Sequence, residues 1–96
     1  MELNECRVRI DEIDTQIVAL LEERMDVCKA IGIDKYNKNL EILDSSREKE
    51  KIGKIREMTK CDSYKDHMEQ IYTEVMAQSR LLQKDTIERL KSKKAE

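Results

Sequence analysis

One apolar pattern near the start of the chain constrains the fold more than any other feature. Between residues 3 and 31, side chains recur at alternating steps of three and four, the period of helices that pack along a common line. We call this row the α1 seam; it consists of Leu3, Cys6, Ile10, Ile13, Ile17, Leu20, Arg24, Val27 and Ile31. All are apolar except Arg24. The pattern predicts one long helix from about Leu3 to Tyr36, ended by residues 37–39.

The length of this helix predicts that the protein forms a dimer. About 34 helical residues span about 50 Å at 1.5 Å per residue. A compact domain of 96 residues has a diameter of roughly 32 Å. The first helix should therefore overhang the rest of the chain. We expect a second copy, related by a two-fold axis, to cover the seam.

Two further helices are predicted. Capping-box spacing between Ser45 and Glu48 indicates that the second helix starts near Ser45 or Ser46. It should end around Lys60 to Asp62, with an inner face of Ile52, Ile55 and either Met58 or Thr59.

The third helix should start near Ser63, with Asp66 in its first turn. Its inner face reads Met68, Ile71, Tyr72, Val75, Met76, Ser79, Leu82 and Gln83. Polar residues thus occupy a face that the preceding turns define as apolar.

Composition supports an all-α fold with one domain over residues 1–96. The chain has no proline, two glycines and only three aromatic residues, so the turns and strands of a sheet protein are missing. A formal net charge of −2 argues against nucleic acid as the main partner. The basic run Lys91 to Lys94 is interpreted as a solvated, frayed helix end.

The sequence also predicts a cytoplasmic protein without a bound metal. Cys6, Cys28 and Cys61 are too few and too far apart for a disulfide framework or a zinc site. The acidic N-terminus does not read as a signal peptide. No apolar run approaches the ~20 residues of a membrane span, so no membrane partner is expected.

Three cations stand out on the first predicted helix. Arg24 and Lys35 are eleven residues apart, almost three turns, so they share a face at an axial separation of about 16 Å. Both could reach one small ligand, or each could extend to solvent from a half-buried position. Arg7 lies about 25 Å before Arg24 along the helix. It could join the same ligand only from an antiparallel partner helix, or it is simply a solvated residue of the first turns.

Further polar residues point toward the same interior. Asp44, Arg47 and Glu48 lie where the second helix begins, and helix capping alone could explain the two acids. Ser79 and Gln83 are one turn apart on the third helix and could satisfy each other. Taken together, however, the cations outnumber the acids. Since buried charge needs a partner, the set favours an anionic ligand.

These residues carry a resemblance to the all-helical (AroQ-type) chorismate mutases, in the right order over most of the chain. The matching segments are Arg7-x-x-Ile10-Asp11-x-Ile13-Asp14, Leu20-Leu21-x-x-Arg24, Ile31-Gly32-x-x-Lys35, Asp44-x-x-Arg47-Glu48 and Ser79-x-x-x-Gln83. The resemblance implies an intertwined homodimer of three-helix chains with shared active sites. It also implies an isomerase that rearranges chorismate to prephenate in phenylalanine and tyrosine biosynthesis, without a cofactor.

The resemblance further implies a role for each matching residue. Lys35 and Gln83 would donate hydrogen bonds to the ether oxygen of the substrate, and Glu48 would bind its ring hydroxyl. The carboxylates would be held by Arg24 and by Arg7 of the partner subunit. The remaining residues that would complete the pocket are Asp44, Arg47 and Ser79.

Other interpretations remain open at this point. An isochorismate–pyruvate lyase has the same fold and a similar cationic pocket, although Glu48 favours the mutase. A non-catalytic helical dimerisation module would also show a heptad-like seam, and a regulatory or fused copy is a third possibility. Arg80 adds a cation near Ser79, and we expect it at the surface.

Overall fold

A computed structural model describes residues 1–95 of the chain, which form three α-helices and one short 3₁₀ turn. Helix α1 spans Leu3–Asn37, α2 spans Ser45–Met58 and α3 spans Lys65–Ala95; the 3₁₀ turn, Asp62–Tyr64, leads into α3. No strand occurs in the described part of the chain. The predicted all-α class and the three helices are therefore confirmed.

Helix α1 begins and ends through local hydrogen bonds. The side chain of Glu2 accepts from the backbone N–H of Glu5 at 2.9 Å and caps the first turn. At the other end, Asn39 adopts a left-handed backbone conformation with φ of 55°. Asparagine tolerates this region better than most residues, so the helix stops where the sequence predicted.

The start of α2 corrects the predicted capping box. Asp44, not Ser45, is the N-cap, and its Oδ1 accepts from the N–H of Arg47 at 3.0 Å. Ser45 is the first helical residue, and the carboxylate of Glu48 pairs with Arg80 instead of reaching back to the cap. A carboxylate at the N-cap also suits the positive end of the helix dipole.

Helix α2 ends at Met58, a few residues earlier than predicted. The hydroxyl of Thr59 donates to the carbonyl of Ile55 at 2.7 Å, and its backbone turns extended. Met58 is 70% exposed, so Thr59 is the residue that continues the inner face begun by Ile55.

Helix α3 holds the molecule together because it contacts both other helices, α1 along one side and α2 along another. An ion-pair cluster adds to the α2–α3 contact: Arg56 donates to Asp66 at 2.9 Å and to Glu69 at 3.2 Å. The hydrogen bond to Asp66 is the main reason why the pKa of Arg56 is raised.

The buried interior is small and mixed in polarity. Its buried side chains are Cys28, Ile55, Met76, Ser79, Gln83 and Thr86. The hydroxyls of Ser79 and Thr86 donate to carbonyls one turn earlier in α3, at 2.8 Å each. These back-bonds satisfy two polar groups that would otherwise be costly to bury.

The first half of α1 extends beyond the rest of the chain. The radius of gyration is 17.1 Å and the longest dimension is 58 Å, whereas a compact chain of this length has a radius near 12–13 Å. Along the overhang, Leu3, Ile10 and Leu20 of the α1 seam are 62%, 55% and 64% exposed. The predicted overhang is present, and its apolar side chains face solvent in a single chain.

The basic run Lys91 to Lys94 forms the last turns of α3, and its side chains are exposed, as predicted for a solvated helix end. Helix α3 continues through Ala95, and Glu96 lies outside the described residues. The ammonium groups of Lys91 and Lys94 lie 6.0 Å and 5.0 Å from the ring centroid of Tyr36 at the end of α1. These distances allow cation–π attraction, which joins the last turns of the two helices.

Gly32 permits the closest approach of α1 and α3. A Cβ at this position would lie 3.2 Å from the Cα, Cβ and Cγ of Gln83. The neighbouring atoms belong to a helix backbone and the base of its side chain, so they cannot swing away as a side-chain tip could. Gly53 on α2 has no atom within 4 Å of the equivalent position.

The two glycines should respond differently to alanine. Gly53→Ala should raise the free energy of unfolding by about 0.5–1 kcal/mol, because alanine is the better helix former. Gly32→Ala should give no gain or a loss, since the added methyl group must push α3 away. Urea denaturation of both variants checks this, and an equal gain for Gly32→Ala would contradict the close contact.

Candidate active site

A cavity of about 390 Å³ lies between the second half of α1, the loop of residues 38–44, the start of α2 and the middle of α3. Of the eight residues that the sequence singled out, seven line it: Arg24, Lys35, Asp44, Arg47, Glu48, Ser79 and Gln83. All three helices therefore contribute to one pocket. Arg7, the eighth, is exposed on the overhang of α1 and does not line the cavity.

Arg24 is fixed by contacts to two helices. Its Nη1 donates to the hydroxyl of Ser79 on α3 at 2.5 Å and lies 3.6 Å from the Sγ of Cys28 on α1. Ser79 in turn donates to the carbonyl of Val75 at 2.8 Å. This chain of contacts orients the planar guanidinium, which can pair with a carboxylate through two parallel hydrogen bonds.

Lys35 connects α1 to the loop that follows it. Its ammonium donates to the backbone carbonyl of Ile42 at 2.5 Å. An ammonium has three N–H donors, so others can serve a ligand in the cavity. The same contact holds residues 38–44 near the pocket, where Ile42 supplies part of the wall.

Gln83 carries an unsatisfied polar atom. Its side chain is only 6% exposed, and the buried Oε1 has no hydrogen-bond partner within residues 1–95. The idea that Ser79 and Gln83 satisfy each other is wrong, because Ser79 bonds Val75 and Arg24. Leaving a buried polar group unpaired costs about 1–3 kcal/mol. A polar group kept at such a cost in a pocket suggests a ligand contact.

Two cations of the pocket were missed or misplaced by sequence reasoning. Arg80 was expected at the surface, but it lines the cavity and donates to Glu48 across the α2–α3 interface at 2.5 Å. Its position four residues after the buried Met76 could have indicated this. Lys51, one turn after Arg47 on α2, also lines the pocket.

The charge of the cavity is strongly positive. Five cations line it (Arg24, Lys35, Arg47, Lys51 and Arg80), against the two acids Asp44 and Glu48. Within one chain the cations therefore exceed the acids. Walls of low polarity focus such a field toward the cavity, and a small ligand with two negative charges would complement it.

Other types of site are not evident in the described residues. Among residues 1–95, no three His, Cys, Asp or Glu side chains cluster in a way that could hold a metal ion. Within the same range, no helix combines the length and the apolar character needed to cross a membrane.

The fold and pocket define an all-helical protein with a cationic site suited to a small anionic ligand. Comparison with known proteins gives the family: residues 6–84 match the sequence model of chorismate mutase type II. The chain belongs to this family, which confirms the predicted family and enzyme class, an isomerase.

Two curated relatives agree with this assignment. A chorismate mutase of Methanocaldococcus jannaschii is 30% identical over 93 residues, which cover 96% of this chain and 94% of that protein. A bifunctional chorismate mutase/prephenate dehydratase of Aquifex aeolicus is 44% identical over 59 residues. That alignment covers 62% of this chain but only 16% of the bifunctional protein, so this chain spans a small part of its length.

Replacing Gln83 should reveal what its burial costs. In the absence of ligand, Gln83→Met should raise the free energy of unfolding by about 1 kcal/mol, because it replaces an unpaired buried amide with an apolar side chain of similar length. Gln78→Met is the matched control, since Gln78 is exposed on the same helix and should give little change. Urea denaturation measures both, and a clearly destabilised Gln83→Met would show that the amide has a partner in the free protein.

Proposed function

We propose that the pocket binds chorismate and rearranges it to prephenate, the mutase step of phenylalanine and tyrosine biosynthesis. The observation that carries this is the meeting of Arg24, Lys35 and Gln83 in one cationic cavity, in a chain of the chorismate mutase type II family. Chorismate is a dicarboxylate whose rearrangement is a concerted shift of bonds within one molecule. The protein therefore needs to hold a compact conformer and to stabilise developing charge.

The carboxylates of the substrate account for the arginines. Arg24 is already oriented by Ser79 and would hold a carboxylate through its guanidinium fork. Arg7 of the partner subunit would add a second guanidinium. Asp44 and Arg47 would complete the wall, Asp44 by fixing the first turn of α2 through its cap on Arg47.

The breaking ether bond accounts for Lys35 and Gln83. Negative charge builds on the ether oxygen as the carbon–oxygen bond lengthens, so donors aimed at that oxygen lower the barrier. Lys35 keeps N–H groups beyond the one given to Ile42. Gln83 presents an NH₂ donor from a deeply buried amide. Glu48 would accept a hydrogen bond from the ring hydroxyl.

The α1 overhang supports a homodimer. The seam residues of the first half of α1 are largely solvent-exposed in a single chain, and covering such apolar area is favourable by about 25 cal/mol per Å². An antiparallel second α1 would cover them and would bring Arg7 toward the other pocket. The three cysteines are free, which suits the reducing cytoplasm where we place the enzyme.

Incubation with chorismate tests the proposal. The pure protein should consume chorismate and produce prephenate at a rate well above the uncatalysed reaction. The same preparation given isochorismate should release little pyruvate, since Glu48 favours the mutase over the lyase. Absence of chorismate turnover by a folded, dimeric protein would overturn the proposal, and a dimer with neither activity would favour a dimerisation module.

Gln83 predicts how the rate depends on pH. An amide donates at any pH, so the wild-type rate should vary by less than about twofold between pH 6 and pH 8. A carboxyl at this position donates only when protonated, so Gln83→Glu should lose activity progressively as the pH rises. Steady-state rates across this range, with Gln78→Glu as the exposed control, measure the effect. Equal rates for Gln83→Glu and wild type at neutral pH would contradict the donor role.

Subunit exchange tests the shared site. Arg7→Ala and Lys35→Ala should each be nearly inactive, but their mixture should recover roughly a quarter of wild-type activity, because half of the random dimers contain one intact site. Mixing Arg7→Ala with the double variant Arg7→Ala/Lys35→Ala is the control, since no combination restores a site. No recovery in the first mixture, with subunit exchange verified, would show that Arg7 does not complete the pocket of the partner subunit.

A further inference from the structure

The pair formed by Arg80 and Glu48 is the one strong contact of the pocket that the proposed mechanism has not used. Arg80 lies on α3 between Ser79 and Gln83, and Glu48 lies in the first turn of α2. Arg80 Nη1 donates to Glu48 Oε1, and both side chains line the cavity. The pair therefore joins two helices at the wall where the ligand would bind.

The Arg80–Glu48 pair contributes only modestly to the free energy of unfolding. The side chains are 35% and 25% exposed, and pairs that remain in contact with solvent contribute little to stability after screening and loss of side-chain freedom. Arg56, with Asp66 and Glu69, already links the same two helices outside the pocket. A second ion pair is thus not needed to hold α2 against α3, which directs attention to its effect on the pocket.

The geometry leaves half of the Glu48 carboxylate available. Arg80 engages Oε1, and no other cation of residues 1–95 forms an ion pair with this side chain. A carboxylate can accept hydrogen bonds at both oxygens, so Oε2 remains able to accept one from a ligand hydroxyl. Without Arg80, the Glu48 side chain would lose conformational freedom when it made that contact. The pair with Arg80 orders the side chain before the ligand binds.

Direct binding of a ligand carboxylate by Arg80 is the alternative. Against it stands the charge arrangement: Arg80 is the cation that is neutralised by a pocket acid, whereas Lys35 and Arg24 contact only neutral groups in the cavity. A carboxylate would meet less net positive charge at Arg80 than at either of the other two. Arg80 is therefore placed to act on Glu48 first and on the ligand through it.

We propose that Arg80 is a positioning residue that holds Glu48 with one oxygen free, and so sets the selectivity of the pocket for a ligand with a ring hydroxyl. This inference rests on the proposed function, because it takes the dicarboxylate ligand from it. It adds a residue and a specificity beyond the family assignment. Arg80 would affect binding of the ligand hydroxyl indirectly, by orienting the Glu48 carboxylate that accepts a hydrogen bond from it.

Calorimetric binding of two inert probes to the wild-type protein and its variants tests the inference. The probes are a bicyclic ether dicarboxylate that mimics the folded substrate, and the same compound without its ring hydroxyl. Arg80→Met should weaken binding of the hydroxyl compound about tenfold, equivalent to about 1.4 kcal/mol. It should change binding of the deoxy compound less than about twofold. Arg80→Lys should restore part of the preference, and Arg89→Met, on the exposed face of α3, should leave both affinities unchanged.

A double-mutant cycle with Glu48→Gln completes the test. If Arg80 acts through Glu48, then Arg80→Met in the Glu48→Gln background should have almost no further effect on the hydroxyl compound. Equal weakening of both probes by Arg80→Met, or an unchanged effect in the Glu48→Gln background, would overturn the inference and make Arg80 a direct carboxylate ligand. An unchanged hydroxyl preference in Arg80→Met would overturn it as well.

The outcomes separate this inference from the proposed function. A wild-type protein that turns over chorismate and binds both probes upholds the function, whatever the cycle then shows for Arg80. A folded wild-type protein that neither binds the probes nor turns over chorismate overturns the function, and the inference with it. Thermal unfolding of each variant verifies that the compared proteins are folded.

Discussion

Helix α1 is longer than the rest of the chain can cover, and the other features of the structure follow from that mismatch. Of its 35 residues, the second half packs against α3 while the first half projects beyond the bundle. The chain therefore forms only a small interior, in which polar Ser79, Gln83 and Thr86 are as deeply buried as Cys28, Ile55 and Met76. A chain of this size with so little apolar burial has little stability on its own.

The pocket shows how charged side chains can be accommodated in a structure with such a small interior. Three cations of the pocket have partners that orient them without using all of their donors: Ser79 for Arg24, the Ile42 carbonyl for Lys35 and Glu48 for Arg80. The buried amide of Gln83 is the exception, since its oxygen has no partner in residues 1–95. Contacts within the protein thus orient these side chains, and the pocket keeps a surplus of donors and positive charge.

Periodicity predicted the helices and part of the pocket, whereas the roles of Asp44, Arg47 and Glu48 came from the family resemblance. Steps of three and four placed α1 within one residue of its observed end, and face-sharing put Arg24 with Lys35, and Ser79 with Gln83. Tertiary contacts decided what periodicity could not. Glu48 pairs with Arg80 instead of with the helix cap, and Lys91 and Lys94 lie near the ring of Tyr36. Arg80 was misplaced because a charged residue next to Ser79 is expected at the surface unless its partner on α2, Glu48, is known.

The close contact at Gly32 also ties two positions that are far apart in the chain. With only a hydrogen at its Cα, Gly32 lets the backbone of α3 approach until Gln83 is almost in van der Waals contact with α1. That spacing sets how deeply the Gln83 amide sits between the helices. The depth of the pocket floor is thus governed by the absence of one methyl group. A larger residue at position 32 would therefore displace Gln83, whereas position 83 can change alone as long as the first atoms of its side chain stay the same size.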